Sequence, residues 1–463
     1  MSHPVISTTR KTALLPDLPP RLQQFHGARS SQSKLLVLLL RVLLPPFVIY
    51  VGLAAFVFED YVNMGVAKIL RATPYVIGKL SYVEFSLGFI IGAAFLLDRT
   101  FRQVLSSRGC LISFAVIGFY TMLGLVLGNA PGWIRSDFTV WGSLLAGIAV
   151  FRLMVLSKMP RAHLVLIGLM MAAILYLGAR TTQSLVSNEA YLQNERVWDF
   201  TIFHYCDILL PLIGLLAALV AFKNVHYFLA TLVIVAAYFY CGVIVGATRT
   251  LAVSLMIVLF LSAFSMPFRR DNQLIYASLR PSGLFLMGCC LFGAALVVLT
   301  SLGMAFTGSS VIAERLAGGG SVQDYNSILE RFEELADALD QLGFTKLLVG
   351  GGIGWVFDSF FGYESYWLHL GTFTFLLKFG VLPFLAIVAF LYLLLPLKFL
   401  LALARPRSMN PCLRTGLLVA VPGVLGWLFT LTVSGGYTPH SWLTLGITLG
   451  IFLEIRRNGL VNI

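Results

Sequence analysis

Apolar residues run through this chain in long blocks, and polar residues are confined to short stretches between the blocks. A helix needs roughly 20 residues to cross a hydrocarbon core of about 30 Å. Blocks that approach or exceed this length cover residues 35–58, 75–97, 110–129, 137–157, 162–179, 201–222, 226–246, 250–267, 284–304, 370–397, 412–433 and 440–454. The pattern predicts an all-α, polytopic integral membrane protein with about 12 transmembrane helices.

One long segment, residues 307–368, is hydrophilic and departs from this pattern. Within it, residues 324–343 place apolar side chains at alternating spacings of four and three: Ile328, Phe332, Leu335, Leu339 and Leu342. This spacing predicts an amphipathic helix that rests on the helix bundle or on the membrane surface. The chain therefore divides into a basic, disordered tail (1–34), spans one to nine (35–304), a large helical loop (305–368), and spans ten to twelve with a short C-terminus (369–463).

The composition agrees with a membrane protein, since 58% of the residues are hydrophobic, only 12% are charged, and the mean hydropathy is +0.87. Basic residues concentrate in alternate loops, with twenty on the side of the N-terminus and about ten on the other side. Short loops rich in Lys and Arg stay in the cytoplasm. Both termini are therefore predicted to be cytoplasmic and the large loop to lie outside. This asymmetry accounts for the net charge of +12 without a nucleic-acid partner.

Neither a cleaved leader nor a metal or disulfide site is expected. The first apolar block contains Arg41 and has no convincing cleavage site, so it is interpreted as a permanent span. All six cysteines fall in or beside predicted spans: Cys110, Cys206, Cys241, Cys289, Cys290 and Cys412. The outer segments lack the DxD, HExxH and His-Cys patterns of metal sites. We therefore predict no metal and no cofactor.

Residues 349–354 form a glycine cluster with the sequence VGGGIG. A phosphate-binding P-loop would need a following Lys-Ser or Lys-Thr pair between a strand and a helix, and neither is present. The cluster predicts a tight turn that requires positive φ angles. The alternative is that its backbone amides face the pyrophosphate of a lipid-linked substrate.

Three arginines on the predicted outer side are candidates for phosphate binding. Arg249 lies in the short turn between the seventh and eighth spans, where its guanidinium could bind a phosphate with two hydrogen bonds or extend to lipid headgroups. Arg331 lies beside the apolar stripe of the loop helix and could instead form a surface ion pair with Glu334 or bond Ser327. Arg315 lies in a less defined part of the loop.

His369 is the first candidate for a general base, because an imidazole titrates near neutral pH and this one lies at the outer end of the tenth span. Its alternative is a simple polar anchor at the interface. Glu364, five residues earlier, is a second candidate base. His204 is a third, with Asp207 one helical turn away to orient it.

Other side chains near His369 have simpler interpretations. Lys378 lies on the opposite face of the predicted tenth span and is expected to pair with a carboxylate such as Glu84. Several aromatics could stack on sugars or form an interfacial belt: Trp355, Phe360, Tyr363, Tyr366 and Trp367.

These features together resemble the superfamily of O-antigen ligases and Wzy-type polysaccharide polymerases. The resemblance covers residues 243–384 and depends on Arg249 in the outer turn, Arg331 at the head of an Arg-x-x-x-Leu-x-x-Ala-Leu helix, the turn at residues 347–354, and His369 eleven residues before Gly380. Twelve spans with one large outer loop also fit this superfamily.

The resemblance implies an inverting, metal-independent glycosyltransferase of the bacterial inner membrane whose site faces the periplasm. Its donor would be a glycan linked to undecaprenyl pyrophosphate. His369 would act as general base, and Arg249 and Arg331 would stabilise the departing pyrophosphate, with Arg315 as a further candidate.

The acceptor separates two activities within this superfamily. A polymerase transfers the growing glycan to a lipid-linked repeat unit, with a chain-length regulator as a further candidate partner, and a ligase transfers it to the lipid A core. We favour the polymerase. A flippase or secondary transporter is the alternative of another class, because charged residues occur within predicted spans: Lys79, Glu84, Arg152 and Asp207.

Overall fold

The computed structural model describes residues 75–77, 80–157, 249–265, 322–358, 364–404, 409–434, 437 and 439–458, together with isolated positions between 38 and 238. Helices dominate these ranges, as the apolar pattern predicts. The predicted spans 35–58, 162–179, 201–222, 226–246 and 284–304 lie wholly or largely outside the described residues. The count of twelve spans therefore stays a prediction.

The predicted span 75–97 is wrong in its first residues, because a short antiparallel hairpin of β1 (Tyr75–Ile77) and β2 (Leu80–Ser81) precedes the first described helices. These are α1 (Tyr82–Leu97), α2 (Arg99–Leu105), α3 (Arg108–Val126), α4 (Pro131–Leu156) and α5 (Arg249–Ser265). The hydrophilic segment contributes α6 (Val322–Leu342), α7 (Phe344–Val349) and the antiparallel strands β3 (Phe357–Asp358) and β4 (Glu364–Ser365). The C-terminal part contains α8 (Gly371–Phe379), α9 (Val381–Val388), a π-helical segment (Ala389–Leu394), α10 (Leu395–Ala404), α11 (Pro411–Ser434) and α12 (Pro439–Asn458).

Four helical stretches among the described residues are long and apolar enough to cross a membrane: Arg108–Val126, Pro131–Leu156, Val381–Ala404 and Pro411–Val433. They differ in what surrounds them. Most large apolar side chains of Arg108–Val126 and Val381–Ala404 are exposed or only half-buried, whereas Pro131–Leu156 and Pro411–Val433 are mostly buried. The described part of the chain is therefore mostly helical, as expected for an all-α membrane protein, with two of these four stretches buried among other helices and two that expose apolar surface.

Helices α4 and α12 pack with their backbones in direct contact. A Cβ atom on Gly147 would overlap the Leu443 carbonyl, and one on Gly446 would overlap the Leu144 carbonyl. Membrane helices associate through small residues because lipid offers no hydrophobic gain for their contact. The two glycines therefore set the distance between these helices.

Ion pairs connect neighbouring helices, and those of Arg152 are buried. Arg152 of α4 binds Asp98 at 2.6 Å and also binds Glu454 of α12. Arg135 binds Glu84 at 2.5 Å. Glu84 and Arg152, which the transporter alternative placed on a substrate path, thus hold neighbouring helices together.

The predicted pairing of Lys378 with Glu84 is wrong. Lys378 lies 2.6 Å from Asp137 of α4, whereas Glu84 binds Arg135. The error has a physical reason. Lys378 is only 1% exposed, so it must pair with the carboxylate that reaches the same buried region, and sequence alone does not reveal which carboxylate that is.

The predicted tenth span, 370–397, is not one continuous helix. The Phe373 ring stacks on Phe384 with ring centroids 5.6 Å apart, and the Thr372 hydroxyl lies 2.6 Å from the Tyr392 hydroxyl. Twenty residues would separate the ends of a straight helix by about 30 Å. Helix α8 therefore folds back beside α9 at Gly380, whose φ of 73° suits glycine, and the spanning stretch is Val381–Ala404.

We predict that Gly147→Ala destabilises the protein and Gly142→Ala does not. The added methyl at position 147 overlaps the α12 backbone, which cannot move away without repacking the interface, whereas a Cβ at position 142 meets nothing within 4 Å. Overpacking of this kind costs about 1–3 kcal/mol. Thermal unfolding of the purified protein in detergent measures the difference, and equal melting temperatures for the two variants would contradict the close α4–α12 contact.

Candidate functional site

Helix α6 is amphipathic, as predicted, and its apolar face packs on the bundle. Leu335 and Leu342 are buried in a cluster with Trp355 and Leu370. The stripe is rotated from the predicted one, because Phe332 is 55% exposed whereas Glu334 is 2% exposed. A carboxylate therefore lies on the buried face of the helix.

The partner of that carboxylate is His369. The His369 backbone N–H donates to Glu334 Oε2 at 3.1 Å, and the imidazole Nδ1 lies 2.9 Å from the same oxygen. A carboxylate accepts hydrogen bonds, so in the neutral imidazole the proton is on Nδ1 and Nε2 is the acceptor nitrogen. Glu334 thus selects the tautomer of His369 and fixes its orientation. The imidazole is half-buried and retains access to its surroundings.

The chain around His369 is held on both sides. The Leu368 N–H donates to Thr374 Oγ1 at 3.0 Å, and Leu368 and Leu370 are both buried. The Trp367 ring lies 5.2 Å from the imidazole centroid. His369 therefore stands at a constrained turn just before α8, at the end of the predicted tenth span.

Arg331 lies one helical turn before Glu334, on the same side of α6. It is half-buried and donates from Nη1 to the carbonyl of Val433 at the end of α11. The neighbouring Thr432 hydroxyl lies 2.5 Å from the Tyr392 hydroxyl. Helix α6 thus directs a guanidinium to the end of α11 and a carboxylate to His369.

Arg249 is the first residue of α5, and its side chain lies outside the described residues. The helix itself runs antiparallel to α11, because Ser254 bonds Thr430 at 2.8 Å and a Cβ on Gly426 would meet Val258. This register places the first turn of α5 beside the last turn of α11. The structure therefore brings the Arg249 backbone to the end of α11 at which Arg331 binds.

Several predicted site residues lie outside the described residues: His204, Asp207, Arg315, Phe360 and Tyr363. The alternative base Glu364 is described. It lies exposed on β4 and accepts a hydrogen bond from Trp133 Nε1 at 3.2 Å. Its exposure leaves it solvated.

The predicted sugar-stacking aromatics have different environments. Trp355 is buried and stacks on Phe357 with ring centroids 6.0 Å apart, so it belongs to the packing core. Tyr366 is half-buried against Trp133 at 5.5 Å. Among the three, Trp367 is the one whose ring adjoins the imidazole of His369, and it stays a candidate for sugar contact.

The glycine cluster is a turn, as predicted. Gly350, Gly352 and Gly354 have φ angles of 94°, 79° and 80°, which side chains other than glycine rarely adopt. A Cβ on Gly352 would overlap the backbone of Gly124 in α3. The turn is therefore inserted tightly between helices.

The backbone amides of this turn are bound within the protein. Gly351 and Gly352 donate to carbonyls of α8 at 2.7 and 3.1 Å, and Ile353 donates to the Tyr120 carbonyl at 3.0 Å. The Gly354 N–H donates to Asp137 Oδ2 at 2.7 Å. These bonds contradict the alternative in which the amides face a pyrophosphate, because each of these N–H groups already donates a hydrogen bond within the protein.

Asp137 and Lys378 form a fully buried pair beneath the turn. Lys378 also lies over the rings of Tyr366 and Tyr437 at 5.6 and 5.7 Å. Asp137 accepts both the Lys378 ammonium and the Gly354 amide. The pair therefore fastens the C-terminal end of α8 to α4, and the site at the other end of α8 is supported by it.

Sequence reasoning missed Glu334 as the partner of His369 and Asp137 as the partner of Lys378. A signal for Glu334 existed, since it lies three residues after Arg331 and next to Leu335 of the buried stripe. Within the described parts of the chain, no group of three or more His, Cys, Asp or Glu side chains could hold a metal ion.

Comparisons with protein-family models, curated proteins and solved structures found no match to this chain. The functional argument therefore depends on the residues themselves. The described site contains His369, which the buried carboxylate of Glu334 orients, and the half-buried Arg331 one helical turn before Glu334. It also contains the start of α5, whose first residue is Arg249.

We predict that Lys378→Met destabilises the protein strongly, because it leaves the Asp137 carboxylate buried without its counter-charge. Breaking a buried pair in this way costs about 3–5 kcal/mol. The double variant Asp137→Asn/Lys378→Met should be more stable than Lys378→Met alone, since asparagine removes the uncompensated charge and still accepts the Gly354 N–H. Thermal unfolding in detergent compares the variants. The pairing would be contradicted if the double variant lost as much melting temperature as Lys378→Met and Asp137→Asn lose together.

Proposed function

We propose that the protein is a membrane glycosyltransferase that polymerises polysaccharide outside the cytoplasm. Its donor is a glycan linked to undecaprenyl pyrophosphate, and its acceptor is a sugar hydroxyl on a lipid-linked repeat unit. The observation that carries this proposal is the oriented pair of Glu334 and His369, because glycosyl transfer to a hydroxyl needs a base that removes one proton. The resemblance to O-antigen ligases and Wzy-type polymerases supports the same activity.

In the proposed reaction, the acceptor hydroxyl attacks the anomeric carbon while His369 Nε2 takes its proton. A new C–O bond to the acceptor forms, the C–O bond to the pyrophosphate breaks, and undecaprenyl pyrophosphate departs with the bonding electron pair. One displacement inverts the anomeric configuration. Glu334 stabilises the imidazolium that forms, since its carboxylate lies 2.9 Å from Nδ1.

The arginines stabilise the leaving group in the proposed reaction. Negative charge grows on the pyrophosphate as it leaves, and a guanidinium binds two phosphate oxygens in a fixed fork. Arg331 lies at the end of α11 beside the first turn of α5, which begins at Arg249. We assign both to the leaving group, with Arg315 as a further candidate, and this replaces a metal ion.

The proposal includes the predicted topology. Twelve spans with both termini in the cytoplasm place the loop of residues 305–368 in the periplasm of a bacterial inner membrane. No nucleotide sugar is supplied there, so a donor already activated as a lipid pyrophosphate fits this location. The half-buried Glu84 and the buried Arg152 form ion pairs that connect segments of the bundle, which favours the enzyme over a transporter path.

We predict that His369→Ala lowers polymerisation about 10²- to 10⁴-fold, the usual contribution of a general base. The purified protein is reconstituted with an undecaprenyl-pyrophosphate-linked repeat unit as the sole sugar substrate, and the products are separated by size. Wild type and the control Glu364→Gln should produce a ladder, because Glu364 is exposed and bonded to Trp133.

Other outcomes of this assay would redirect the assignment. A ladder that survives in His369→Ala but not in Glu364→Gln would move the base to Glu364. Absence of a ladder with wild type, but transfer once lipid A core is added, would identify a ligase. If the wild type transfers glycan to neither acceptor, the proposed enzyme activity is wrong and the transporter becomes the favoured hypothesis.

We predict that Glu334→Gln lowers kcat about 10-fold or more with little change in KM, and that Glu333→Gln changes neither. Loss of an orienting carboxylate weakens catalysis by removing the tautomer preference and the charge that stabilises the imidazolium. Glu333 is a matched control because it is the adjacent, exposed glutamate on the same helix. Initial rates across donor concentrations measure both constants, and equal kcat values for the two variants would contradict the role of Glu334.

A further inference from the structure

Helix α7 exposes apolar side chains. Phe344 is 78% exposed and Leu348 is 53% exposed, and their spacing of four places them on the same face of the helix. The opposite side is anchored, because Leu347 packs against the buried cluster that includes Leu335. Contiguous exposed apolar residues on a fixed helix mark an interaction surface.

Two glycines and a backbone contact fix the direction of this surface. Gly343 and Gly350 flank α7 with φ angles of 74° and 94°, so the chain turns sharply before and after it. A Cβ on Gly380 would overlap the Leu348 carbonyl. Helix α7 therefore lies directly against the N-terminal end of the spanning stretch Val381–Ala404.

The exposed face of α7 continues the exposed face of that spanning stretch. Leu382 is 77% exposed and Leu385 is also exposed, in the first turns after Gly380. Because Val381–Ala404 is long and apolar enough to cross a membrane, we expect these leucines to face lipid. The apolar surface of α7 is the extension of this lipid-facing surface beyond the end of the helix.

The charges of α6 and α7 distinguish the membrane side from the water side. The exposed positions of α7 between Phe344 and Leu348 include Lys346, a cation suited to lipid phosphates. The exposed face of α6 carries one large apolar side chain, Phe332, but three acidic ones: Glu333, Asp337 and Asp340. An acidic face is repelled by anionic headgroups, so α6 faces water and α7 faces the bilayer.

We propose that α7 is a membrane-interface helix whose apolar face enters the phospholipid layer. Phe344 and Leu348 contact acyl chains, and Lys346 lies at the level of the headgroup phosphates. The occupant of this surface is the bilayer, because a soluble partner would also have to cover the lipid-facing leucines of α9. Within the described part of the hydrophilic segment, the membrane contact is thus made by α7, whereas α6 packs on the bundle.

Photocrosslinking tests this proposal on the full-length protein in lipid. Phe344, Leu348, Leu382 or Asp340 is replaced by p-benzoylphenylalanine, and each variant is reconstituted in bilayers of phosphatidylcholine and phosphatidylglycerol. After irradiation, intact-protein mass spectrometry detects the addition of one phospholipid. Leu382 is the lipid-facing control and Asp340 is the water-facing control. All four positions are exposed, so the substitutions leave the packing of the bundle unchanged.

The expected result is a phospholipid adduct at positions 344 and 348 with a yield similar to that at position 382 and several-fold above that at position 340. Yields at positions 344 and 348 as low as that at position 340 would overturn the proposal. A crosslink from position 344 to a second copy of the chain would overturn it as well, because the surface would then be an interface between copies.

Discussion

The carboxylate of Asp137 joins three parts of the chain that lie far apart in the sequence. It begins on α4, binds the Lys378 ammonium at the end of α8, and accepts the Gly354 N–H of the glycine turn. A buried charge tolerates few arrangements, because each lost partner leaves an uncompensated charge in a medium of low dielectric constant. The relative positions of α4, the glycine turn and α8 are therefore tightly determined.

The candidate site depends on this constraint at a distance. Helix α8 is fastened at its C-terminal end by Lys378 and Asp137, and His369 lies just before its N-terminal end. The network of the Thr372, Tyr392 and Thr432 hydroxyls joins that N-terminal end to the spanning helix and to α11. With both ends of α8 held, the imidazole needs only Glu334 to complete its orientation.

Sequence patterns predicted the features that depend on local periodicity and missed those that depend on long-range pairing. Helices α3, α4, α5, α11 and α12 and the amphipathic α6 follow from apolar spacing, and their bounds agree with the predicted ranges within several residues. The sequence did not reveal the fold-back at Gly380. Residues 370–397 are almost continuously apolar, and a short helix such as α8 followed by a second helix has the same apolar pattern as one long span. The partners of Lys378 and His369 are 241 and 35 residues away in the chain, so no local spacing identifies them.

Helix α6 relates the two charges that the proposed glycosyl transfer requires. In that proposed reaction, a proton must leave the attacking hydroxyl while negative charge collects on the departing pyrophosphate, at opposite sides of one carbon atom. Arg331 and Glu334 are three residues apart, so a single helical turn sets the spacing between the guanidinium and the carboxylate that orients His369. Because Leu335 and Leu342 bury the same face against the bundle, the rotation of α6 about its axis is fixed by packing. One rigid helix can therefore place both groups, and the loop that carries it becomes part of the site.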